Sequence, residues 1–173
     1  LFRLLPEQVD GVWQGACVFF VESELLKRGL HRMVFVGDTL YLGRTHLSWV
    51  GDEGMTTLRP IDQTPFEPLD MKAIPKGFRF DFTEPLARTA AERERWRAQR
   101  YYYAYHANYG SPQMTKTEVT PIRVTITNGG LTAEVEFAEL VASRIYDFDL
   151  GRVESARGEP PLNARIAYTL NRV

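Results

Sequence analysis

The run Phe78-Arg79-Phe80-Asp81-Phe82 constrains the fold most tightly, because rings at every second position alternate with charges. Successive side chains of a strand point to opposite faces, so this run reads as a half-buried strand with one aromatic face turned to a core. Similar short β-rich runs, separated by turn residues, recur along the chain. Residues 69–74, 78–82, 101–105, 122–127, 131–137, 144–150 and 165–170 each read as strands, with Asn128-Gly129-Gly130 as a tight turn. Seven strands is the count of an immunoglobulin-like sandwich, and that fold is expected over residues 69–173.

Upstream the pattern is sparser. Gly37-Asp38 lies between Val34-Phe35-Val36 and Leu40-Tyr41-Leu42 and predicts a β-hairpin. Residues 11–21 read as a strand, 23–30 as a connection and 55–59 as another short strand. Pro60, Pro65 and Pro68 then crowd one stretch and favour an extended connector. The expected organisation is a small antiparallel β segment at 1–62, a Pro-rich linker at 63–68 and the sandwich at 69–173. One short exposed helix is expected over residues 89–97, where Thr89 is placed to cap and acidic residues lie a turn from basic ones.

Composition narrows the functional classes. With 44% hydrophobic residues in 173, the chain can bury a real core. A net charge of −1 with mixed signs gives no broad footprint for nucleic acid. The apolar runs fall far short of the roughly 20 residues a membrane-spanning helix needs, so no transmembrane segment is expected. The single cysteine, Cys17, lies in the apolar run Cys17-Val18-Phe19-Phe20 and reads as an inert core thiol. The chain begins Leu1-Phe2-Arg3, which reads as the start of a processed or excised piece of a longer polypeptide.

The patterns of self-sufficient catalysis and cofactor binding are missing: no haem-attachment motif, no paired zinc ligands, no His-Glu-x-x-His, no Gly-x-Ser-x-Gly and no phosphate-binding glycine loop. No catalytic, cofactor-binding or metal-ligating residue is therefore assigned, and the chain is expected not to be an enzyme. His31, His46 and His106 are scattered without ligand spacing. Asp147 and Asp149 share one strand face, where they could hold Ca²⁺ or simply meet solvent; the solvated reading is favoured.

Two segments suggest an interface. The first, residues 100–112, holds Tyr101, Tyr102, Tyr103, Tyr105 and Tyr109, of which some can fill the core while the others either form a tyrosine-rich rim without a partner, the favoured reading, or present amphipathic rings that suit a partner surface. The second is the Arg-rich stretch around Trp96, which, offset by Glu92 and Glu94, otherwise reads as a solvated helical face. The candidate interface residues are Tyr101, Tyr103, Tyr105, Tyr109, Arg93, Arg97 and Trp96.

The tyrosine segment, with the stretch Leu150-Gly151-Arg152-Val153-Glu154 and the closing Tyr168-Thr169-Leu170-Asn171-Arg172, resembles a module of large secreted bacterial proteins. These are the planctomycete-type multidomain proteins in which a propeller similar to glucose/sorbosone dehydrogenases is joined to further domains, often a c-type cytochrome. Residues 66–173 carry the resemblance to the sandwich, while residues 11–15, 37–43 and 55–59 look like a last propeller blade. The resemblance implies a periplasmic or extracellular setting and protein partners, including a membrane-associated electron-transfer complex. It carries no catalytic residue onto this chain. The expected function is a non-catalytic structural or protein-interaction module, or accessory subunit of such a complex. The alternative is a carbohydrate-binding module or fragment of a sugar-oxidising enzyme, in which Trp13, Trp49 or the tyrosines would stack on sugar rings.

Overall fold

The computed structural model describes residues 1–45 and 51–173. The fold is mainly β and sandwich-like, with antiparallel sheets throughout and no helix beyond short 3₁₀ turns among the described residues. Two compact units are present. One comprises Phe2–Phe20 and Pro65–Val173, and the other comprises Leu1 and Val21–Thr64.

The larger unit begins with a hairpin of β1 (Phe2–Val9) and β2 (Val12–Phe19). Its two-residue turn, Asp10-Gly11, has positive φ at both positions (48° and 76°), the backbone of a type I′ turn and the reason an Asp-Gly pair sits there. The further strands are β6 (Pro68–Ile74), β7 (Gly77–Phe82), β8 (Arg97–Tyr103), β9 (Gln113–Val119), β10 (Arg123–Thr127), β11 (Thr132–Glu136), β12 (Arg144–Asp149) and β13 (Arg165–Leu170). They form a six-stranded sheet in the order β1-β2-β13-β12-β8-β9 and a four-stranded sheet in the order β10-β11-β7-β6.

The two sheets meet over one core. From the four-stranded sheet come Met71, Phe78, Phe80, Phe82, Ala133 and Val135; from the other come Ala16, Val18, Ala98, Tyr146, Phe148, Ile166, Tyr168 and Leu170. The phenylalanine face expected at 78–82 is its centre. The Phe78 ring lies 5.0 Å from Tyr146, 5.1 Å from Tyr168 and 5.4 Å from Phe148, all on the opposite sheet.

All seven expected strands are present, but the sandwich has more. The expected boundary left residues 1–20 outside it, whereas β2 pairs with β13, setting Ala16 against Tyr168 and Cys17 against Ala167. The physical reason is apolar supply: Ala16 and Val18 complete the inner face, which otherwise would end at β13 as an open edge. Pro6 hid β1 from sequence reading. It is tolerated because β1 is an edge strand, where one missing amide donor costs no ladder bond. Opposite it stands Gly15, at φ 147°, where a Cβ would fall 2.3 Å from the Leu5 carbonyl oxygen. The other added strand, β9, is a mostly exposed edge whose sequence, Gln-Met-Thr-Lys-Thr-Glu-Val, carries little apolar signal.

The helix expected at 89–97 is replaced by two 3₁₀ turns, Arg88–Ala91 and Arg93–Arg95, and then the start of β8. Ala87, not Thr89, takes the N-cap position, and it makes no side-chain cap. Burial decides the outcome. The Trp96 indole is buried and donates from Nε1 to the Ala90 carbonyl at 2.8 Å, while Ala90 is itself buried. An α-helix sets residues six apart on sides about 120° away from each other, so one helix could not hold both inward. The expected neighbouring charges do pair, Arg95 to Glu92 at 3.0 Å and Arg93 to Glu94 at 2.8 Å.

The smaller unit is an antiparallel meander of β3 (Leu30–Val36), β4 (Thr39–Arg44) and β5 (Gly54–Leu58). Gly37-Asp38 forms the expected turn, with Gly37 at φ 58°. A 3₁₀ turn at Glu24–Leu26 is capped by the Ser23 hydroxyl, which accepts from the Leu25 amide at 3.2 Å. The unit's own core is slight: Leu26, Leu40 and Leu42 are buried, with Leu1, Val21, Leu30 and Leu58 packed around them.

Candidate interaction surface

Register fixes which side chains leave the sandwich. Because Tyr146, Phe148, Ile166 and Tyr168 point inward, their neighbours Ile145, Asp147, Asp149, Arg165, Ala167 and Thr169 line the outer face of the six-stranded sheet. Pairing extends that face across the sheet. On the β1–β2 side it carries Phe2 opposite Phe19, Leu4 opposite Cys17, and Gln8 opposite Trp13. On the other side it carries Arg97, Gln99 and Tyr101 opposite Asp149, Asp147 and Ile145.

The face has two halves. Its β1–β2 side is apolar at the corner away from the hairpin turn: Phe2 is 59% exposed and Leu4 74%, and the Phe2 and Phe19 rings lie 4.5 Å apart, while the 63% exposed Trp13 stands at the turn end, opposite Gln8. Its floor beside this corner is low, formed by Cys17, Ala167 and Thr169. Towards β8 the face becomes charged. Asp147 Oδ2 accepts from Gln99 Nε2 at 3.0 Å and from the Arg165 guanidinium at 2.8 Å, with Asp149 Oδ2 3.8 Å from the same guanidinium. The two aspartates are thus partnered by arginine, and the Ca²⁺ alternative has no support in their geometry. Arg97 is exposed and makes no ion pair among the described residues. Beside it a groove of 520 Å³ runs between Arg93, Arg97, Glu118, Asp149 and Arg165.

The expected interface residues divide accordingly. Arg97, Tyr101 and Tyr103 lie on this outer face, and Arg93 lines the groove at its charged end. Tyr101 is nevertheless buried, beneath Tyr103, whose ring lies 5.5 Å away. Its hydroxyl pKa is pushed up to about 12, first by burial, then by the hydrogen bond to Tyr103 and the charge of Asp147. Tyr101 supports the surface and offers no contact of its own. Trp96 leaves the candidate interface altogether: it is 1% exposed and packs on Phe80 at 5.1 Å. The cause is the loss of the expected helix, since the 3₁₀ turns direct the indole inward. Tyr105 and Tyr109 are fully exposed on the loop between β8 and β9, beyond the end of the face.

Sequence reading placed Cys17 in the core, and the structure places it half-buried on the outer face instead. Its strand alternates, and Ala16 and Val18 take the inward positions; partial burial still raises the thiol pKa. Phe2, Leu4 and Phe19 have no surface signal in the sequence, because the pairing of β2 with β13 turns this face outward and the pairing of β1 with β2 extends it. His31 and His106 are exposed, and His46 and Trp49 lie outside the described residues. Among the described residues no group of His, Cys, Asp and Glu side chains is arranged to hold a metal ion. No helix among them is long and apolar enough to cross a membrane. No family model matches the sequence, and no curated protein or solved structure is significantly similar to it.

Proposed function

We propose that this chain is a non-catalytic protein-interaction module that seats a partner protein on the outer face of its six-stranded sheet. It serves as an accessory domain or subunit of a periplasmic, membrane-associated electron-transfer assembly. The observation that carries the docking reading is the apolar corner of Phe2 and Leu4, both more than half exposed, beside Phe19 on one face. Clustered exposed apolar groups beside a polar rim mark protein contact surfaces. The charged half supplies that rim, and the unpaired Arg97 is a donor for a partner carboxylate. The kind of assembly rests on the sequence resemblance alone. This reading requires no cofactor of the chain's own.

A second reading, carbohydrate binding, draws on the exposed Trp13 indole, which lies open on the sheet face as a sugar-stacking platform would. The two readings part in the mutant series. Leu4→Glu and Arg97→Glu should abolish co-isolation with a stoichiometric protein partner under the docking reading. They should spare polysaccharide retention under the other, where Trp13→Ala alone should remove it. Partner association that survives both Leu4→Glu and Arg97→Glu refutes the proposed face.

A further inference from the structure

β3 is an edge of its three-stranded sheet, and it exposes four consecutive apolar residues: Met33 (62%), Val34 (58%), Phe35 (69%) and Val36 (62%). The other sheets guard their edges, with Pro6 in β1, Lys116 and Glu118 in β9 and Arg123 in β10. Along Met33–Val36 there is no such guard. The backbone is also presented in a fixed phase. Val36 pairs with Thr39 across the two-residue Gly37-Asp38 turn, and Val34 pairs with Tyr41. A two-residue turn is closed by hydrogen bonds between its flanking pair, so Val36 and Val34 direct their amides and carbonyls to β4, while Met33 and Phe35 direct theirs outward.

We propose that two copies of this chain join through β3, strands antiparallel, with Phe35 on the two-fold axis. In this register Phe35 faces Phe35 of the second copy, Val34 faces Val36, Met33 faces Gly37, and Arg32 faces Asp38. The outward-directed residues meet one another, as ladder bonding requires, and a one-residue slip would set them against inward-directed ones. A register with Val34 on the axis also aligns the backbone, but it places Arg32 against Val36. Charge therefore selects the first. Neither Arg32 nor Asp38 forms an ion pair among the described residues, and the two-fold would create the Arg–Asp contact twice. The result is a continuous sheet running β5-β4-β3 in one copy and β3-β4-β5 in the next, with no unguarded apolar edge at its centre.

This inference is independent of the docking face, because neither Arg32, Phe35 nor Asp38 belongs to the sandwich unit. Sedimentation of the full chain across a concentration series is expected to show a monomer–dimer equilibrium. Arg32→Asp and Asp38→Arg should each weaken the dimer at least about tenfold by setting like charges opposite, and the double exchange should restore it. In a Cys17→Ser background, Phe35→Cys should oxidise to a covalent dimer, since the Cα atoms of a hydrogen-bonded antiparallel pair lie about 5.5 Å apart, within disulfide reach. Val34→Cys should not. A monomer at every concentration, a double exchange as weak as the single variants, open-ended oligomers, or crosslinking at Val34→Cys in preference to Phe35→Cys would each overturn the proposal.

Discussion

Replacing Phe78 by alanine tests the sandwich where its two sheets meet. The ring is fully buried and touches four others, Tyr146, Tyr168 and Phe148 across the interface at 5.0, 5.1 and 5.4 Å and Phe137 at 6.2 Å. Removing a buried phenylalanine costs about 3–5 kcal/mol through lost transfer energy and the cavity left behind. Here the surroundings are other large rings held by two hydrogen-bonded sheets, which cannot collapse far, and each edge contact is itself worth about 0.5–1.5 kcal/mol. The expected loss is therefore at the upper end, about 4–5 kcal/mol. That is a large share of the roughly 5–15 kcal/mol by which domains are stable. Urea unfolding followed by near-ultraviolet circular dichroism reads this ring cluster directly. At a slope of about 2 kcal/mol per molar, the midpoint should fall by about 2 M without a change in slope. The exposed loop residue Tyr109, truncated in the same way, should change stability by less than about 0.5 kcal/mol. A loss below about 1.5 kcal/mol for Phe78→Ala would mean that the sheets do not pack through this ring, and the reasoning would fail.

Gln14 is buried, and its Oε1 accepts from the backbone amides of Asn171 at 3.1 Å and Arg172 at 2.8 Å, fastening the end of β13 to β2. Gln14→Ala should cost about 1–3 kcal/mol by leaving those donors unpaired, whereas Gln14→Glu, which keeps the acceptor, should lose less in the same denaturation assay. Glu67 hydrogen-bonds Arg3 at 2.8 Å and Asn163 at 2.7 Å, yet burial outweighs both and raises its pKa. The folded chain therefore holds the proton longer than the unfolded one, and Glu67 contributes stability that is present below the ordinary glutamate range and lost as pH rises through the raised value. Melting temperatures measured from about pH 4 to about pH 7 should show Glu67→Gln gaining on the wild type as pH increases; a gap that widens in favour of the wild type would contradict this assignment.

How much of this was legible in the sequence follows from where the information sits. Strands with a strong period-two signal, such as Phe78 to Phe82, announce themselves because one face is committed to the core. The turn at Gly37-Asp38 was equally plain, since few other residues adopt its backbone. β1 and β9 were not legible, because edge strands need only one bonded neighbour and tolerate Pro6 or a run of polar residues. Tertiary pairing overrode local propensity at 89–97, where helix-forming residues yielded to the burial of Trp96 and Ala90. The candidate surface was half legible. Arg93, Arg97 and Tyr103 were found from composition, but Phe2, Leu4 and Phe19 became surface residues through the pairing of β1 with β2 and, above all, of β2 with β13. That pairing joins residues about 150 positions apart, as Cys17 and Ala167 show, and no local pattern encodes it.

The most direct test of the docking claim is native isolation from membranes in mild detergent, run in parallel for the wild-type chain and Leu4→Glu, with mass spectrometry and an absorption spectrum of each preparation. The account predicts that the wild type is recovered in stoichiometric association with pigment-bearing membrane subunits and that Leu4→Glu is recovered folded but alone. Recovery of both as lone species retained on polysaccharide would contradict it.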